Sequence, residues 1–523
     1  MVKKRIAWIA PILLVSGCTN VFSGEEEAMK WSQETPFVED TESRIYYEIF
    51  VRAFADGDGD GIGDLKGATS KLDYLHDLGV TGIWLMPINP SPSYHGYDVT
   101  DYTDVHPDYG TIEDMKTFVK EAHNRGIDVI IDFVMNHSSS EHPWFQQALA
   151  GDETYRDYYV WSDDSTNLNQ VGDWQQPVWH GEGEPKYEGV FWHGMPDMNF
   201  ANSQVMAEFK EASQFWLEEI GIDGFRLDAA KYLYSAYQLD DHHEENVALW
   251  KDFNAHVKGI KPHSMLVGEV WDSASVVGQY LQGIDSGFNF DLSSRILSSV
   301  QQEKDTGIAP GLEKVRNHFS SVAEGYVDST FLTNHDIDRV MSQLNGNEDH
   351  AKMAASLLLT LPGNPYLYYG EEVGLEGMKP DEHIREPMIW TKEESPEETT
   401  WIERRYSTNR EKVAVEAQLE NEDSLLHHYR EMIAVRRSHP ILMDGEVAVS
   451  EVKKEGLVAF ERVLDEESVL VLHNMTGDRV DVQLPEQWWI YITVTEIVNR
   501  MGKAFRWHRI QPSCIVIKNH PAT

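Results

Sequence analysis

One unit recurs along this chain: a short run of apolar, β-branched or aromatic residues, then a stretch with helical periodicity. The strand-like runs fall at 45–54, 80–88, 127–134, 222–227, 265–268, 287–291, 328–333 and 365–369. Helix-periodic stretches such as 65–78, 112–125, 245–257 and 351–361 lie between them. Runs that are apolar almost throughout predict strands buried on both faces, hence parallel strands covered by helices. Eight such repeats predict a closed barrel rather than an open sheet. The expected fold is therefore α/β, a TIM (β/α)8 barrel, built from 42–136 and 203–438. At 523 residues the chain has length left over for satellite domains.

Two segments break the repeat. Residues 137–202, rich in Trp, Tyr, Asp and Gly, separate the third strand from its helix and predict an inserted B subdomain or a wall of the site. After a helix-like run at 425–438 the pattern turns to short alternating strands at 457–462, 468–473, 480–484, 490–497 and 514–518. Residues 439–523 are accordingly expected to form a C-terminal antiparallel β-sandwich domain.

In such barrels the chemistry sits at the carboxyl ends of the strands. The third strand ends in Asp132, Asn136 and His137, the fourth in Arg226 and Asp228, the fifth in Glu269, and the seventh in Asn334, His335 and Asp336. Two residues apart on a strand is one face, so Arg226 should pair with Asp228 and hold it ionised and oriented. A structural ion pair is the plain alternative for those two alone. Three carboxylates converging on one mouth from three strands are harder to explain without function, because desolvating several like charges together is costly.

A second motif, Asp56-Gly-Asp58-Gly-Asp60-Gly-Ile62-Gly-Asp64, alternates acids with glycines. Such a loop can wrap carboxylate oxygens and one backbone carbonyl around a hard cation; a solvated acidic turn is the alternative. The whole chain is acidic as well, 44 Lys and Arg against 87 Asp and Glu giving a net charge of −43. Nucleic acid is excluded as a partner by the lack of any basic stripe, whereas a neutral polyol or cations fit. Life in high salt also fits this acidity.

The N-terminus reads as a processing signal. Lys3, Lys4 and Arg5 precede an apolar run at 6–15 that is short for a membrane span, followed by Leu14-Val15-Ser16-Gly17-Cys18. That ending resembles the bacterial lipoprotein box, which implies cleavage of a 1–17 signal peptide and a mature protein anchored by lipid on Cys18 outside the cytoplasm. An ordinary signal peptide with a chance cysteine is the alternative. Residues 18–41 read as a polar tether. Cys514 is the only other cysteine, so acylation of Cys18 would preclude an intrachain disulfide.

Four segments together carry a wider resemblance. Asp132-Phe-Val-Met-Asn-His137, Gly224-Phe-Arg-Leu-Asp228, Gly268-Glu269-Val-Trp271 and Phe331-Leu-Thr-Asn-His-Asp336 resemble, in order, the signature regions of the α-amylase superfamily of retaining glycoside hydrolases, family 13. The resemblance runs from Arg44 almost to the C-terminus. It implies that Asp228 is the nucleophile and Glu269 the general acid and base, with carboxyls about 5–5.5 Å apart. It implies that Asp336 grips sugar hydroxyls and favours ring distortion, and that Arg226, His137 and His335 position the sugar or the nucleophile. His95-Gly-Tyr-Asp98 is similar to the family's sugar platform, with Tyr97 stacking on the ring and Asp98 binding its hydroxyls; Lys231 and Trp271 would line the leaving-group side. A comparable loop in the family binds Ca²⁺, implying Asp56, Asp58, Asp60, Asp64 and the Ile62 carbonyl as ligands. Many relatives have His after the Lys of the second region and use its carbonyl, with the Asn of the first, for another calcium. Here Tyr232 follows Lys231, which leaves that site and Asn136 as its ligand open.

Ala229 after the nucleophile leans toward α-1,4 linkages, since relatives cutting α-1,6 bonds often carry Val there. Met195-Pro-Asp-Met-Asn199 resembles members intermediate between α-amylases and oligo-1,6-glucosidase or neopullulanase types. The expected enzyme is an endo-acting α-amylase on starch and maltooligosaccharides, expected to be monomeric. An exo-acting α-glucosidase, a trehalose synthase or glucan transferase, and a non-catalytic glucan-binding lipoprotein are the alternatives.

Overall fold

The computed structural model describes residues 41, 43–234, 243–478, 480–483, 488–493, 504–506 and 513–519. The expected signal peptide, Cys18 and nearly all of the tether lie outside the described residues, as do residues 484 and 494–497 of the strands expected near the C-terminus. Among the described residues no helix is long and apolar enough to cross a membrane.

Eight parallel strands close a barrel in sequence order: β1 (Tyr46–Ile49), β2 (Gly82–Leu85), β3 (Asp128–Phe133), β4 (Gly224–Leu227), β5 (Met265–Gly268), β6 (Ser286–Phe288), β7 (Val327–Phe331) and β8 (Asn364–Tyr368). Closure is seen at Tyr46, which pairs with Gly82 on one side and Tyr366 on the other. Tyr46, Trp84, Ile130, Val267, Phe288, Phe331 and Tyr366 fill the interior as one buried cluster, with Tyr46 and Tyr366 stacked at 4.6 Å. The barrel is thus a packed core rather than a pore. The two-residue period then places Glu48 beyond Tyr46, Asp132 beyond Ile130 and Glu269 beyond Val267, at the carboxyl rim.

Several expected elements differ in extent. The 45–54 run is strand only over Tyr46–Ile49, and Val51–Phe54 turns into a short helix. The 65–78 helix is two, Leu65–Ser70 and Leu72–Leu78, meeting at Lys71; Asp64 caps the first by accepting from the Gly67 N–H at 2.7 Å. The 222–227 strand begins only at Gly224, whose φ of +150° and close approach to the Met265 carbonyl exclude a side chain. The 287–291 run is strand only to Phe288, because Asn289 accepts from the Leu292 N–H at 3.0 Å and starts the helix Phe290–Gln301.

The segment after β3 carries two short helices, Pro143–Leu149 and Glu153–Arg156, and an antiparallel pair, Trp179–His180 with Tyr187–Glu188. The bridge His137 to Asp197 and the Met198 N–H donated to the Asn136 carbonyl at 2.9 Å tie its far end to the exit of β3. It therefore stands over the rim rather than away from it. Beyond the barrel, a five-stranded sheet runs Glu446–Val449, Leu457–Leu464, Glu467–Asn474, Ser513–Asn519 and Trp488–Thr493, with every described pairing antiparallel. Buried Arg462 of the sheet docks it on the barrel, next to Arg436 of the barrel helix Leu425–Arg437. Arg462 donates to the carbonyls of Thr360 (2.6 Å), Leu442 and Gly445, and Arg436 to those of Leu359 and Leu361. Guanidinium groups thereby satisfy the open carbonyls where the helix Glu348–Thr360 ends.

Candidate active site

At the carboxyl rim one guanidinium gathers three carboxylates. Arg226 Nη1 lies 2.9 Å from Asp132 Oδ1 and 2.6 Å from Asp228 Oδ1, and Nη2 lies 3.0 Å from Glu269 Oε2. Arg226 is itself buried, with its charge 5.2 Å above the Trp84 ring that floors the site. Glu269 is fixed a second time, because Ala229 N–H donates to its Oε2 at 3.1 Å. That N–H points there because Ala229 has φ +47°, a left-handed conformation that costs a non-glycine residue on the order of 1–3 kcal/mol.

Burial pushes the Asp228 carboxyl up, and Arg226 pulls it back down. The sequence expectation that Arg226 simply keeps Asp228 ionised thus meets an opposing desolvation that is the larger effect. Burial raises Glu269 likewise, again opposed by Arg226, and the charges of Asp228 and Asp336 add to the rise. Asp132 is pushed up to about 7, chiefly by burial. Three acids share one cation, so protons are retained more readily than at isolated carboxylates.

Asp336 is held separately. Its Oδ1 accepts from Arg385 Nη2 at 3.0 Å and its Oδ2 lies 3.1 Å from His335 Nε2. Burial opposes its ionisation, yet His335 and Arg385 hold the carboxyl well below the usual range. His335 is wholly buried, with Nδ1 2.5 Å from Glu48 Oε1 and Nε2 2.6 Å from the Tyr97 hydroxyl. Burial would lower its pKa, but Asp336 and Glu48 raise it to about 10. His137 is the opposite case: burial lowers it to about 4, and its Nε2 hydrogen-bonds the Tyr97 carbonyl at 3.2 Å as a neutral ring. Asp228, Glu269, Asp336, Arg226, His335 and Tyr97 therefore form one connected group.

The remaining expected residues surround it. The Tyr97 hydroxyl donates to Asp132 Oδ2 at 3.0 Å while its ring stacks on His335. Asp98 is buried and accepts from the Ser91 hydroxyl at 2.6 Å and from Ser93. Lys231 Nζ donates to the Trp271 carbonyl at 3.2 Å and to Asp272 Oδ2 at 3.1 Å. Trp271 is exposed and lies flat on Phe290 at 4.5 Å.

Sequence reasoning left out Glu48 and Arg385. Glu48 carried a signal, a lone acid at an inward position of an apolar strand; Arg385 comes from a loop after β8 that has no period to read. Asp197 was also left out. It is buried, burial and Glu188 push it well above the usual range, and its Oδ1 accepts from Asn136 Nδ2 at 3.2 Å. Among the described residues the buried Asn136 Oδ1 has no hydrogen-bond partner.

The acidic loop between β1 and the next helix brings carboxylate oxygens of Asp56, Asp58 and Asp64 within 4.8 Å of one another, with Asp56 and Asp64 buried. Asp60 stands outside that group, its Oδ1 accepting from the Ile62 N–H at 2.7 Å, so four converging carboxylates are reduced to three. Backbone donors shape the loop: Asp56 Oδ1 accepts from Gly59 N–H (2.6 Å), Asp56 Oδ2 from Gly61 N–H (2.7 Å), and Asp64 Oδ2 from Gly57 N–H (2.9 Å). Hard oxygen donors at that spacing fit Ca²⁺.

A barrel whose carboxyl rim gathers acidic groups on one guanidinium fits an enzyme that cleaves glycosidic bonds between two carboxyls. Residues 48–445 match the α-amylase catalytic domain, and residues 457–503 match the C-terminal domain of the α-amylase SusG. The chain is 43% identical to "Alpha-amylase 3" of Dictyoglomus thermophilum over 82% of its length and 84% of that protein. It is 35% identical to a 4-alpha-glucanotransferase of Thermotoga neapolitana over 83% of its length and 96% of that protein. The crystal structure of the alpha-amylase from H. orenii superposes with a TM-score of 0.86 at 39% identity, covering 92% of this chain and all of that one (100%). The chain belongs to the α-amylase family of glycoside hydrolases.

Proposed function

We propose that this enzyme is an endo-acting α-amylase that hydrolyses α-1,4-glucosidic bonds in starch and maltooligosaccharides with retention. In the first step Asp228 Oδ attacks C1, the bond from C1 to the glycosidic oxygen breaks, and the Glu269 carboxyl gives its proton to that oxygen. A glycosyl ester on Asp228 results. In the second step Glu269, now a carboxylate, takes a proton from water; the water oxygen bonds to C1 and Asp228 leaves as the carboxylate. Burial that raises Glu269 supports its acid role, because the proton must be present when the sugar binds. Asp336, held ionised, accepts from sugar hydroxyls, and Tyr97, Asp98, His137 and His335 line the same ring. Asp56, Asp58 and Asp64 would hold Ca²⁺, which fixes the rim structurally. The leader reading adds a lipid on Cys18 and an extracytoplasmic location.

The single observation carrying this reading is the Arg226 guanidinium shared by Asp228 and Glu269, which holds both acids at one locus. The 35% identity to a glucanotransferase supports transfer to sugar acceptors as a second reading. The test is a product series from maltoheptaose and soluble starch. Mixed oligomers early in the reaction are expected; glucose alone would make the enzyme exo-acting, and longer products would make it a transferase. Asp228→Asn should lower kcat by at least about 10³-fold with the fold intact, and an unchanged kcat would remove Asp228 from the mechanism.

A further inference from the structure

Asp336 and its partner Arg385 are joined by more than their own ion pair. Asp336 and Arg339 lie three residues apart in the segment after β7, and Ile384 and Arg385 are neighbours in the loop after β8. Arg385 reaches across one way, with Nη2 3.0 Å from Asp336 Oδ1 and Nε donating to the His335 carbonyl at 3.0 Å. Arg339 reaches back the other way, its Nε donating to the Ile384 carbonyl at 2.8 Å. Two arginines thus cross between the same two segments in opposite directions.

Arg339 is built into that place. It is 2% exposed, and its Nη1 donates to the Tyr369 carbonyl at 2.7 Å. The guanidinium lies 4.4 Å from the centre of the Tyr368 ring and 4.7 Å from that of Tyr369, so two π faces balance the buried charge. The hydroxyls of those rings hold the same loop. Tyr368 donates to the Ile384 carbonyl at 3.1 Å, and Tyr369 to the Glu386 carbonyl at 2.8 Å. Carbonyls on both sides of Arg385 are therefore anchored to the end of β8. Gly377 closes the space: its carbonyl accepts from Arg339 N–H at 2.9 Å, and a Cβ there would stand 3.0 Å from Ile384 Cα and 3.2 Å from Arg339 Cδ. Burying a guanidinium to serve carbonyl groups is costly, and what it fixes is the backbone that carries Arg385. A loop without that anchor would let the Arg385 guanidinium drift, and a misplacement of about 1 Å can cost on the order of 10²-fold in rate.

We propose that Arg339 is a positioning residue for the third carboxylate: by clamping the Ile384 carbonyl, with Tyr368 beside it, it sets where Arg385 meets Asp336. Being buried, it acts through Arg385 and not on the sugar. This rests on the amylase reading, in which Asp336 grips sugar hydroxyls, and adds to it the group that keeps that grip in register.

The test is a double-mutant cycle on kcat/KM for maltoheptaose. Arg339→Lys keeps the charge but gives up the fork that spans the Tyr369 and Ile384 carbonyls. It should lower kcat/KM about tenfold in the otherwise wild-type enzyme. Once Arg385→Ala has removed the side chain being positioned, the same change should cost less than about twofold. A loss of folded enzyme would instead cut both backgrounds by one factor. Tyr368→Phe removes only the hydroxyl on the Ile384 carbonyl. It should cost about threefold and be silent in the Arg385→Ala background, and it decides the matter where Arg339→Lys does not fold. Equal losses in the two backgrounds, or no loss in either, would overturn the clamp while leaving the amylase reading intact. A wild-type enzyme inactive on maltoheptaose would overturn both.

Discussion

Two buried histidines near the carboxyl rim are in opposite charge states, and a pair of carboxylates makes the difference. The His137 ring hydrogen-bonds a backbone carbonyl and the Asn136 amide and is neutral, whereas His335 lies between Glu48 and Asp336 and is a cation. Tyr97, Asp132, Arg226 and Arg385 complete the shell of polar and charged groups around it. A histidine raised in this way contributes fully below about pH 6.5, and its contribution disappears as pH rises through about 10. Glu48→Gln keeps an oxygen for Nδ1 and removes the charge, so His335 should lose its proton at lower pH. The alkaline limb of the kcat/KM profile should move down in pH, with roughly tenfold lost at pH 9 and little change near pH 6. A profile that keeps its shape while falling at every pH would show that Glu48 is only structural. None of this could be read from spacing. Asp228, Glu269 and Asp336 were legible because they end strands inside quotable motifs, whereas a partner such as Arg385 depends on how a loop folds back.

At the scale of elements, loops were legible in composition but not in detail. The alternating Asp and Gly of the loop after β1 raised the expectation of a cation site, yet only the fold shows that Asp60 turns back to its own loop while Asp64 doubles as a helix cap. That double role would couple a cation bound there to the fold, because bringing Asp56, Asp58 and Asp64 together places like charges within a few ångströms. Removing Ca²⁺ with EDTA should lower Tm by about 5 °C, the scale expected when a ligand present well above its Kd is withdrawn from a domain of this size. Asp58→Asn is the informative variant, since Asp58 is exposed and caps no helix. It should abolish the response of Tm to calcium while changing the EDTA-treated protein by less than about 1 °C. A calcium response retained in Asp58→Asn would place the ion elsewhere, and the Asn136–Asp197 cluster is where it would be sought. Strand ends follow the same lesson. Gly224 and Asn289 set limits through backbone conformation and capping, which a hydrophobic pattern does not encode.

For the whole molecule the dominant fact is the net charge of −43. The barrel was legible because eight apolar runs leave few other solutions, but the excess of acid says nothing about fold. Its consequence is for stability. The cations at the rim are spent on particular acids, Arg226 on three and Arg385 on Asp336, while buried Arg436 and Arg462 are committed to carbonyls. Surface acids therefore greatly outnumber the cations left to balance them, and folding brings those acids closer than the unfolded chain does. Added salt screens such repulsion, since the Debye length falls from ~10 Å at 0.1 M to ~3 Å at 1 M. With calcium fixed in excess, Tm should rise by several degrees between 0.05 and 1 M NaCl and equally in KCl, because screening does not depend on the cation. The rim cluster is screened far less, being buried, so kcat should change little over the same series. A flat Tm would mean that the acids are spaced widely enough for water alone to insulate them, and a rise seen with only one of the two salts would point to specific ion binding instead.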